Sequence, residues 1–264
     1  MVEQEKKNII QSLDRGLQLL EVVAREPEQL TLNELAARFS MDKSSIFRLL
    51  ATLAGRGYVR QEQGSKKYRL GYRILELAGD LYRDLKIVEE ARPYLKELSA
   101  GIRETAHLAV HSDGKMIFID REMSDRIIGV NTHVGRREPL HCTALGKVLL
   151  SAFSEEELES FVGRKGLPKY TPNTITNVED LKTELQKIRQ QGYAFDNEEF
   201  REGIRCLASL VYDYRDVAVC AVGISGPDSR ITLDSLDELA GLVKDTAAKI
   251  SLRLGYNPNY RVGE

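Results

Sequence analysis

The chain of 264 residues reads as an α+β protein in two parts. Three observations predict this. From Ser12 to Gly57, apolar residues recur at helical spacing in three short blocks, and a strand-turn-strand stretch follows. From Tyr72 to Ile102 helical periodicity resumes. Beyond Gly101, strand-like runs and helices alternate as meanders, not as repeated β-α-β units, which predicts a mixed, mainly antiparallel sheet flanked by helices. The length exceeds what one core usually holds, so two domains are expected. The pattern divides into residues 1–70, a linker helix over 71–86, and residues 87–264.

In the first part, Leu13, Leu17, Leu20 and Ala24 give a helix from Ser12 to Ala24, with Pro27 after its end. Thr31 and Glu34 have the spacing of a capping box, and Leu32, Leu35, Ala36 and Phe39 supply an apolar face. Asp42 is placed to cap a third helix, Lys43 to about Arg56, stopped by Gly57. Tyr58-Val59 and Tyr68 to Leu70 read as the arms of a hairpin, with Gln63, Gly64 and Ser65 as its turn.

The stretch 72–102 keeps one apolar seam through Ile74, Ala78, Leu81, Leu85 and Val88. A second runs through Ala91, Leu95, Leu98 and Ile102. The slip between them and Pro93 predict two helices, or one kinked between Lys86 and Pro93. Narrow seams with charged flanks suit dimerising or connecting helices, and equally helices packed on their own domain.

In the last part, strands are expected at Thr105–His111, Lys115–Arg121 and Ile127–Asn131. Helices follow at about Thr143–Ala152, from a second capping box (Ser154, Glu157) to Val162, and from the Asn177 cap to Gln191. Strands then come at Gly192–Phe195, Cys206–Tyr212 and Val217–Ile224, and a final helix at Leu233–Leu254 ends at Gly255. There is no internal repeat and no low-complexity tract.

Composition excludes several classes. With 42% hydrophobic and 30% charged residues the chain reads as globular, and no apolar run approaches the ~20 residues that span a bilayer. The N-terminus lacks the layout of a signal peptide. Three cysteines do not make a disulfide framework, so a reducing, cytoplasmic setting is expected. Residues 1–70 hold 12 Lys/Arg against 9 Asp/Glu, the rest 26 against 31, so a net −2 covers a head of +3 on a body of −5. A mildly basic head permits a polyanionic partner there.

That partner is suggested by the stretch MDKSSIFRLL. Ile46, Leu49, Leu50 and Leu53 form a buried stripe, leaving Ser44, Phe47, Arg48 and Ala51 on the other face. Helix, short break, and a second helix opening on small polar residues is helix-turn-helix logic, with the second helix in the major groove. Lys43, Ser44 and Ser45 suit phosphates or base edges. Arg48 can bond guanine O6 and N7, and Phe47 can touch a thymine methyl. Lys66, Lys67 and Arg69 on the hairpin can follow adjacent phosphates as a wing does.

The spacing LTLNELAARFSMDKSSIFRLLATLAGRGYV resembles the winged helix of the IclR family of bacterial transcription regulators. The resemblance continues through YRLGYRILELAG, ARPYLKELS, ETAHLAV, GRREPLHCTALGKVLLSAF, RKGLPKYTPNTIT, IRQQGYAFDNEE, GIRCLASLVYD and ISGPDSRIT, over about residues 10–256. It implies a winged helix-turn-helix at 1–70, a linker helix at 71–86 and a GAF-like effector domain at 87–264. It implies a homodimer or homotetramer on palindromic or repeated operators, more often a repressor than an activator, serving organic-acid, sugar-acid or aromatic catabolism.

Independently, Thr143, Ala144 and Leu145 open a helix whose first amides lack internal partners and favour a carboxylate. Asp196, Cys206 and Ser225 come from segments that a sheet could bring together. The resemblance implies an effector pocket lined by Ala144, Leu145, Asp196, Ile204, Cys206, Gly223 and Ser225. Where the family has a serine this chain has Gly223, which implies a roomier pocket and an acid larger than glyoxylate or pyruvate.

Other readings stay open. Cys206 with His141 or His107 could be a thiol nucleophile and base, though no nucleophile motif surrounds them. Gly146-Lys147 lacks a phosphate-binding glycine loop. His141, Cys142, Asp196 and Cys206 offer metal donors without a zinc spacing. The winged helix could bind protein in place of DNA. The sequence favours a non-enzyme without cofactor or metal, whose partners are double-stranded DNA, a small carboxylate and its own copies, and not a membrane.

Overall fold

The computed structural model describes residues 9–26, 30–84, 86–127 and 129–257. The chain divides into two compact units, residues 1–85 and 86–264.

The first unit holds α1 (Gln11–Arg25), α2 (Leu32–Arg38), α3 (Lys43–Gly55), the hairpin β1 (Val59–Gln61) and β2 (Tyr68–Leu70), and α4 (Arg73–Asp84). Its ends are set by caps. Thr31 accepts from the Glu34 amide while the Glu34 carboxylate takes the Thr31 amide, and Asp42 accepts from the Ser45 amide. Leu19, Leu35, Ile46, Leu50, Val59 and Tyr68 form the core; of the expected stripe on α3, Ile46 and Leu50 are buried, and Leu49 and Leu53 pack against the core partly buried. A Cβ on Gly71 would fall 2.0 Å from the Gly57 carbonyl oxygen, so only glycine lets the chain leave β2 this close to α3's end. The proline expected to follow α1 lies outside the described residues, as does Leu85 of the apolar seam.

The second unit opens with α5 (Lys86–Ile102). The helix runs unbroken from Lys86 to Ile102 across the predicted window, and Pro93 lies inside it, where it removes one helical hydrogen bond without ending the helix. Next come β3 (Thr105–Ser112), β4 (Lys115–Glu122), β5 (Arg137–Glu138), α6 (Ala144–Leu150), α7 (Glu155–Lys165) and α8 (Val178–Gln191). Strands β6 (Ala194–Asn197), β7 (Ile204–Tyr212) and β8 (Ala218–Pro227) and helix α9 (Leu236–Arg253) complete it. Asp113 and Gly114, both at positive φ, turn β3 into β4. The strand expected at Ile127–Asn131 is not formed by its described residues. Their polar atoms bond side chains of the sheet instead, Val130 O to Thr105 and Asn131 Oδ1 to Arg121. Gly192 is not strand but the left-handed cap of α8.

The sheet runs β5-β4-β3-β8-β7-β6 and is antiparallel in every described pairing. Helices α5 and α9 pack on it. Helix α6 packs against β7 and β8, in a core where Val148 and Leu149 meet Leu158 and Phe161 of α7, Leu181 and Leu185 of α8, and Ala208 and Ala221 of the sheet.

One charge sits inside that core. Lys147 on α6 is 1% exposed. Its Nζ donates to Glu184 Oε1 of α8 at 2.8 Å, to the Phe195 carbonyl of β6 at 2.7 Å and to Glu199 Oε1 at 2.5 Å. Burial alone would lower its pKa, but the two carboxylates outweigh it and the shift is upward. The ammonium therefore stays charged and ties three elements together. Lys147→Ala leaves two carboxylates without their cation, and is expected to lower unfolding stability by ~3–5 kcal/mol in urea titration of the full chain.

Candidate functional site

In the first unit the predicted DNA-facing side chains stand as follows. Phe47 is 56% exposed, and Lys43, Ser44, Arg48 and Ala51 are also on the open face of α3. Both serine hydroxyls are already engaged: Ser44 Oγ donates to Asp42 Oδ1 at 2.5 Å and Ser45 Oγ to Asp42 Oδ2 at 2.7 Å. These bonds hold the Asp42 carboxyl far below the usual range. The serines thus present lone pairs, and an Asp42 carboxylate beside them repels phosphate, so the expectation of serine–phosphate bonds needs correction. Arg48 shares a shallow groove with Ser12 and Arg15 of α1 and with Ser45 and Thr52. Arg15 was not singled out from the sequence. Its signal was a basic residue in the first turns of the helix that precedes the helix-turn-helix pair.

On the hairpin, Lys66 is at a positive φ in the turn. The backbone of Lys67 bridges to Thr31. Arg69 is paired with Glu62 at 3.1 Å. That pair is solvent-exposed and weak, so it competes little with a phosphate for the guanidinium. Arg60, opposite Arg69 in the register, is exposed and lies over the Tyr72 ring at 5.5 Å.

In the second unit, Thr143, Ala144, Leu145, Asp196, Ile204, Cys206 and Ser225 meet around one cavity of about 280 Å³. The sheet register explains why. Ser225 of β8 stands opposite Cys206 of β7, and Cys206 opposite Asp196 of β6, so the three form a row across neighbouring strands. The α6 helix comes down beside them. Thr143 Oγ1 accepts from the Gly146 amide at 3.1 Å and donates to the Pro139 carbonyl at 2.7 Å. Its hydroxyl is consumed as a cap and is not free to donate to a ligand. The Lys147 amide bonds the Thr143 carbonyl, which leaves the Ala144 and Leu145 amides of the first turn without helical partners.

Gly223 does not line the cavity. A Cβ there would fall 2.3 Å from the Leu207 carbonyl oxygen, so glycine serves the close approach of β7 and gives the cavity no extra room. Gly223 therefore does not favour a larger acid.

The sequence reading missed much of the wall. His107 and Phe118 come from β3 and β4, Arg136 and Glu138 from around β5, and Phe200 and Arg201 from the turn after β6. Arg136 Nε lies 2.9 Å from Glu138 Oε1, while Arg201 lies over the Phe200 ring at 5.3 Å and makes no ion pair among the described residues. Burial pushes the Glu138 carboxyl up, against the pull of Arg136 and Arg201. Asp196 is 3% exposed and accepts from the Glu199 amide at 2.7 Å. Burial and then the Glu199 carboxylate raise it to about 7. In the sequence, Arg136-Arg137 and Glu198-Glu199 are charged doublets within the stretches GRREPLHCTALGKVLLSAF and IRQQGYAFDNEE.

His107 is buried, with Nε2 2.5 Å from Ser225 Oγ and Nδ1 3.3 Å from Thr132 Oγ1. Burial, then Arg121, lowers its pKa to about 3, so the imidazole is neutral and far too weak a base to activate the serine at neutral pH. Burial also raises the Cys206 thiol well above its usual value. His107 bonds Ser225 and Thr132, and His141 bonds the Pro168 carbonyl. The thiol–imidazole pair considered from the sequence is not assembled. Nor do the described residues gather three metal-ligating side chains at one point. What the cavity can do is bind: two guanidinium groups, two free amides and a row of polar side chains suit a small anion at the low end of ligand-site volumes.

Two family descriptions match the chain: "IclR helix-turn-helix domain" over residues 12–63, and "Bacterial transcriptional regulator IclR C-terminal" over residues 80–252. The acetate operon repressor of Salmonella typhimurium is 36% identical over 248 residues, covering 93% of this chain and 90% of that protein. The crystal structure of the Thermotoga maritima IclR matches with a TM-score of 0.75 at 31% identity, over 94% of this chain and all of that one. An IclR homologue from Microbacterium hydrocarbonoxydans, crystallised with 4-hydroxybenzoate, has a TM-score of 0.79 at 22% identity over 92% of this chain and 98% of that one, a likeness of fold.

Proposed function

Because the chain belongs to the IclR family of bacterial transcription regulators, we propose that it is a ligand-responsive repressor that senses a small organic acid and controls a catabolic operon. The observation that carries this is the enclosed cavity in the second unit, lined by Arg136, Arg201 and the start of α6, in a chain whose first unit presents Arg48 on an exposed helix-turn-helix face. The names of the relatives support the regulatory half of this reading, and the 4-hydroxybenzoate complex of one supports a small carboxylate as the ligand class. A DNA partner puts the protein in the bacterial cytoplasm, and no described helix is long and apolar enough to cross a membrane.

In this reading Lys43 and Arg48 carry the direct contacts of α3, and Phe47 adds apolar contact. Lys66 and Lys67 lie along phosphates, and Arg15 and Arg60 extend the basic face. The acid places its carboxylate against the Ala144 and Leu145 amides and the Ser225 hydroxyl, Asp196 meets the rest of the molecule, and Ile204 and Cys206 form the apolar wall.

A symmetric operator demands two recognition helices, so the protein acts as a homodimer at least. The apolar residues left uncovered support this: Leu75 and Leu81 on α4 are 70% and 64% exposed, and Leu13 and Leu17 on α1 are 60% and 51% exposed.

Three outcomes are expected. Arg48→Ala loses specific binding to the promoter fragment of its own gene, by ~1–3 kcal/mol per half-site in fluorescence anisotropy, while its unfolding curve is unchanged. Normal operator binding by this variant removes α3 from the role of recognition helix. In titration calorimetry with pyruvate and benzoate, Ser225→Ala weakens binding by ~1.5–3 kcal/mol and Leu145→Trp abolishes it. Parent-like binding by both variants moves the site out of this cavity. Sedimentation shows a dimer that Leu81→Glu dissociates, and a native monomer at every concentration overturns the assembly.

A further inference from the structure

We propose that the cavity takes up a proton together with its acid, and that Asp196 is the group that receives it. This rests on reading the cavity as the acid site. Asp196 is buried in the cavity wall and makes no ion pair among the described residues. The buried cation nearest in the fold, Lys147 of α6, is already divided between Glu184 of α8, Glu199 and the Phe195 carbonyl. Its pull lowers the Asp196 pKa less than burial raises it, and apart from Lys147, Arg136 and Arg201 what faces Asp196 is neutral or negative. The turn after β6 offers the amides of Glu199 and Phe200 and the Glu199 carboxylate. The Cys206 thiol comes from β7, and the Cys142 thiol from ahead of α6. From β8 and β3 comes the neutral Ser225–His107 pair. Glu138, Arg136 and Arg201 complete the charged lining.

The charges in that lining decide the matter. Arg136 and Arg201 stand against Glu138 and Asp196. With Asp196 ionised the lining is neutral, and an entering carboxylate leaves an uncompensated negative charge in a site of low dielectric. With Asp196 protonated the lining is positive by one, and a monocarboxylate closes the balance. Protonated, Asp196 also becomes a hydroxyl donor to the ligand. Glu138 is the other acid that could take the proton, but its guanidinium partner at 2.9 Å favours its charged form.

The direction with pH follows. Burial and the Glu199 carboxylate already hold Asp196 at about 7 in the free protein, so the proton is gained at little cost near neutrality. A bound anion raises it further. Well below pH 7 the proton is present before binding and none is taken up. Above pH 7 uptake approaches one, and affinity falls by up to tenfold per pH unit until the pKa of the bound state is reached.

The test is titration calorimetry of the full-length protein with pyruvate and with benzoate. Buffers of low and high ionisation heat are compared from about pH 5.5 to about pH 8.5. At the alkaline end the apparent enthalpy should depend on the buffer, reporting uptake of close to one proton, and Kd should rise with pH after a plateau at the acid end. Asp196→Asn should bind with a Kd that does not vary with pH and take up no proton. Binding by the native protein without buffer dependence overturns the proposal and leaves the acid site standing. Uptake that persists in Asp196→Asn also overturns it, assigning the proton elsewhere. Binding of neither acid at any pH overturns the acid-site reading and the proposal with it. If that variant does not fold, Asp196→Ser replaces it, with the same two readouts expected.

Discussion

The second unit is organised around the buried ammonium of Lys147. A lone cation in that core would cost far more than one residue's packing contributes, so its presence obliges the chain to bring Glu184, Glu199 and the Phe195 carbonyl to it. Those partners lie on α8, after β6 and on β6. Satisfying one charge therefore sets the position of α6 relative to the edge of the sheet. The consequence reaches the cavity directly, because Ala144 and Leu145 begin the helix that Lys147 anchors, and Asp196 lies one residue beyond Phe195.

The same arrangement sets the electrostatics of the cavity. Lys147 pulls the Asp196 pKa down, but burial outweighs it, and Glu199, drawn in by Lys147, adds a like charge beside Asp196. Backbone amides from Glu199 and Phe200 partly offset this, and Asp196 is left poised near neutrality. On the other side of the row, His107 is held neutral by burial and fixes the Ser225 hydroxyl through Nε2. A site built this way discriminates by charge count and by hydroxyl placement. It carries no activated nucleophile: the imidazole is too weakly basic and the Cys206 thiol too hard to ionise.

In the first unit the decisive device is smaller. Asp42 caps α3 and also accepts hydrogen bonds from both serine hydroxyls at the helix start. The cap orders the start of the helix and at the same time removes two donors from its outer face, so Lys43 and Arg48 are left as the donors there. On the hairpin, Glu62 engages Arg69 only through an exposed, weak pair. The donor set of α3 is thus narrower than its sequence suggests.

What the sequence determined by itself was local. Helices α1, α2, α3, α7 and α8, and four side-chain caps on them, two of which are capping boxes, were legible because they depend on residues within one turn of each other, and the buried pair Ile46 and Leu50 because helical period alone defines it. Membership of the family was legible for a different reason, since motif order over most of the chain is a property of sequence. The tertiary structure decided what depends on contacts distant in the chain. Residues 127–131 read as a strand by composition, yet Val130 and Asn131 give their polar atoms to Thr105 and Arg121. Gly223 read as spare room in the pocket, yet it meets the Leu207 carbonyl. Thr143 read as a ligand donor, yet its proton belongs to Pro139. His107, Arg136, Glu138 and Arg201 had no local signature, because a cavity wall is assembled by strand register and loop placement. No one-dimensional pattern records which side chains end up facing the same empty space.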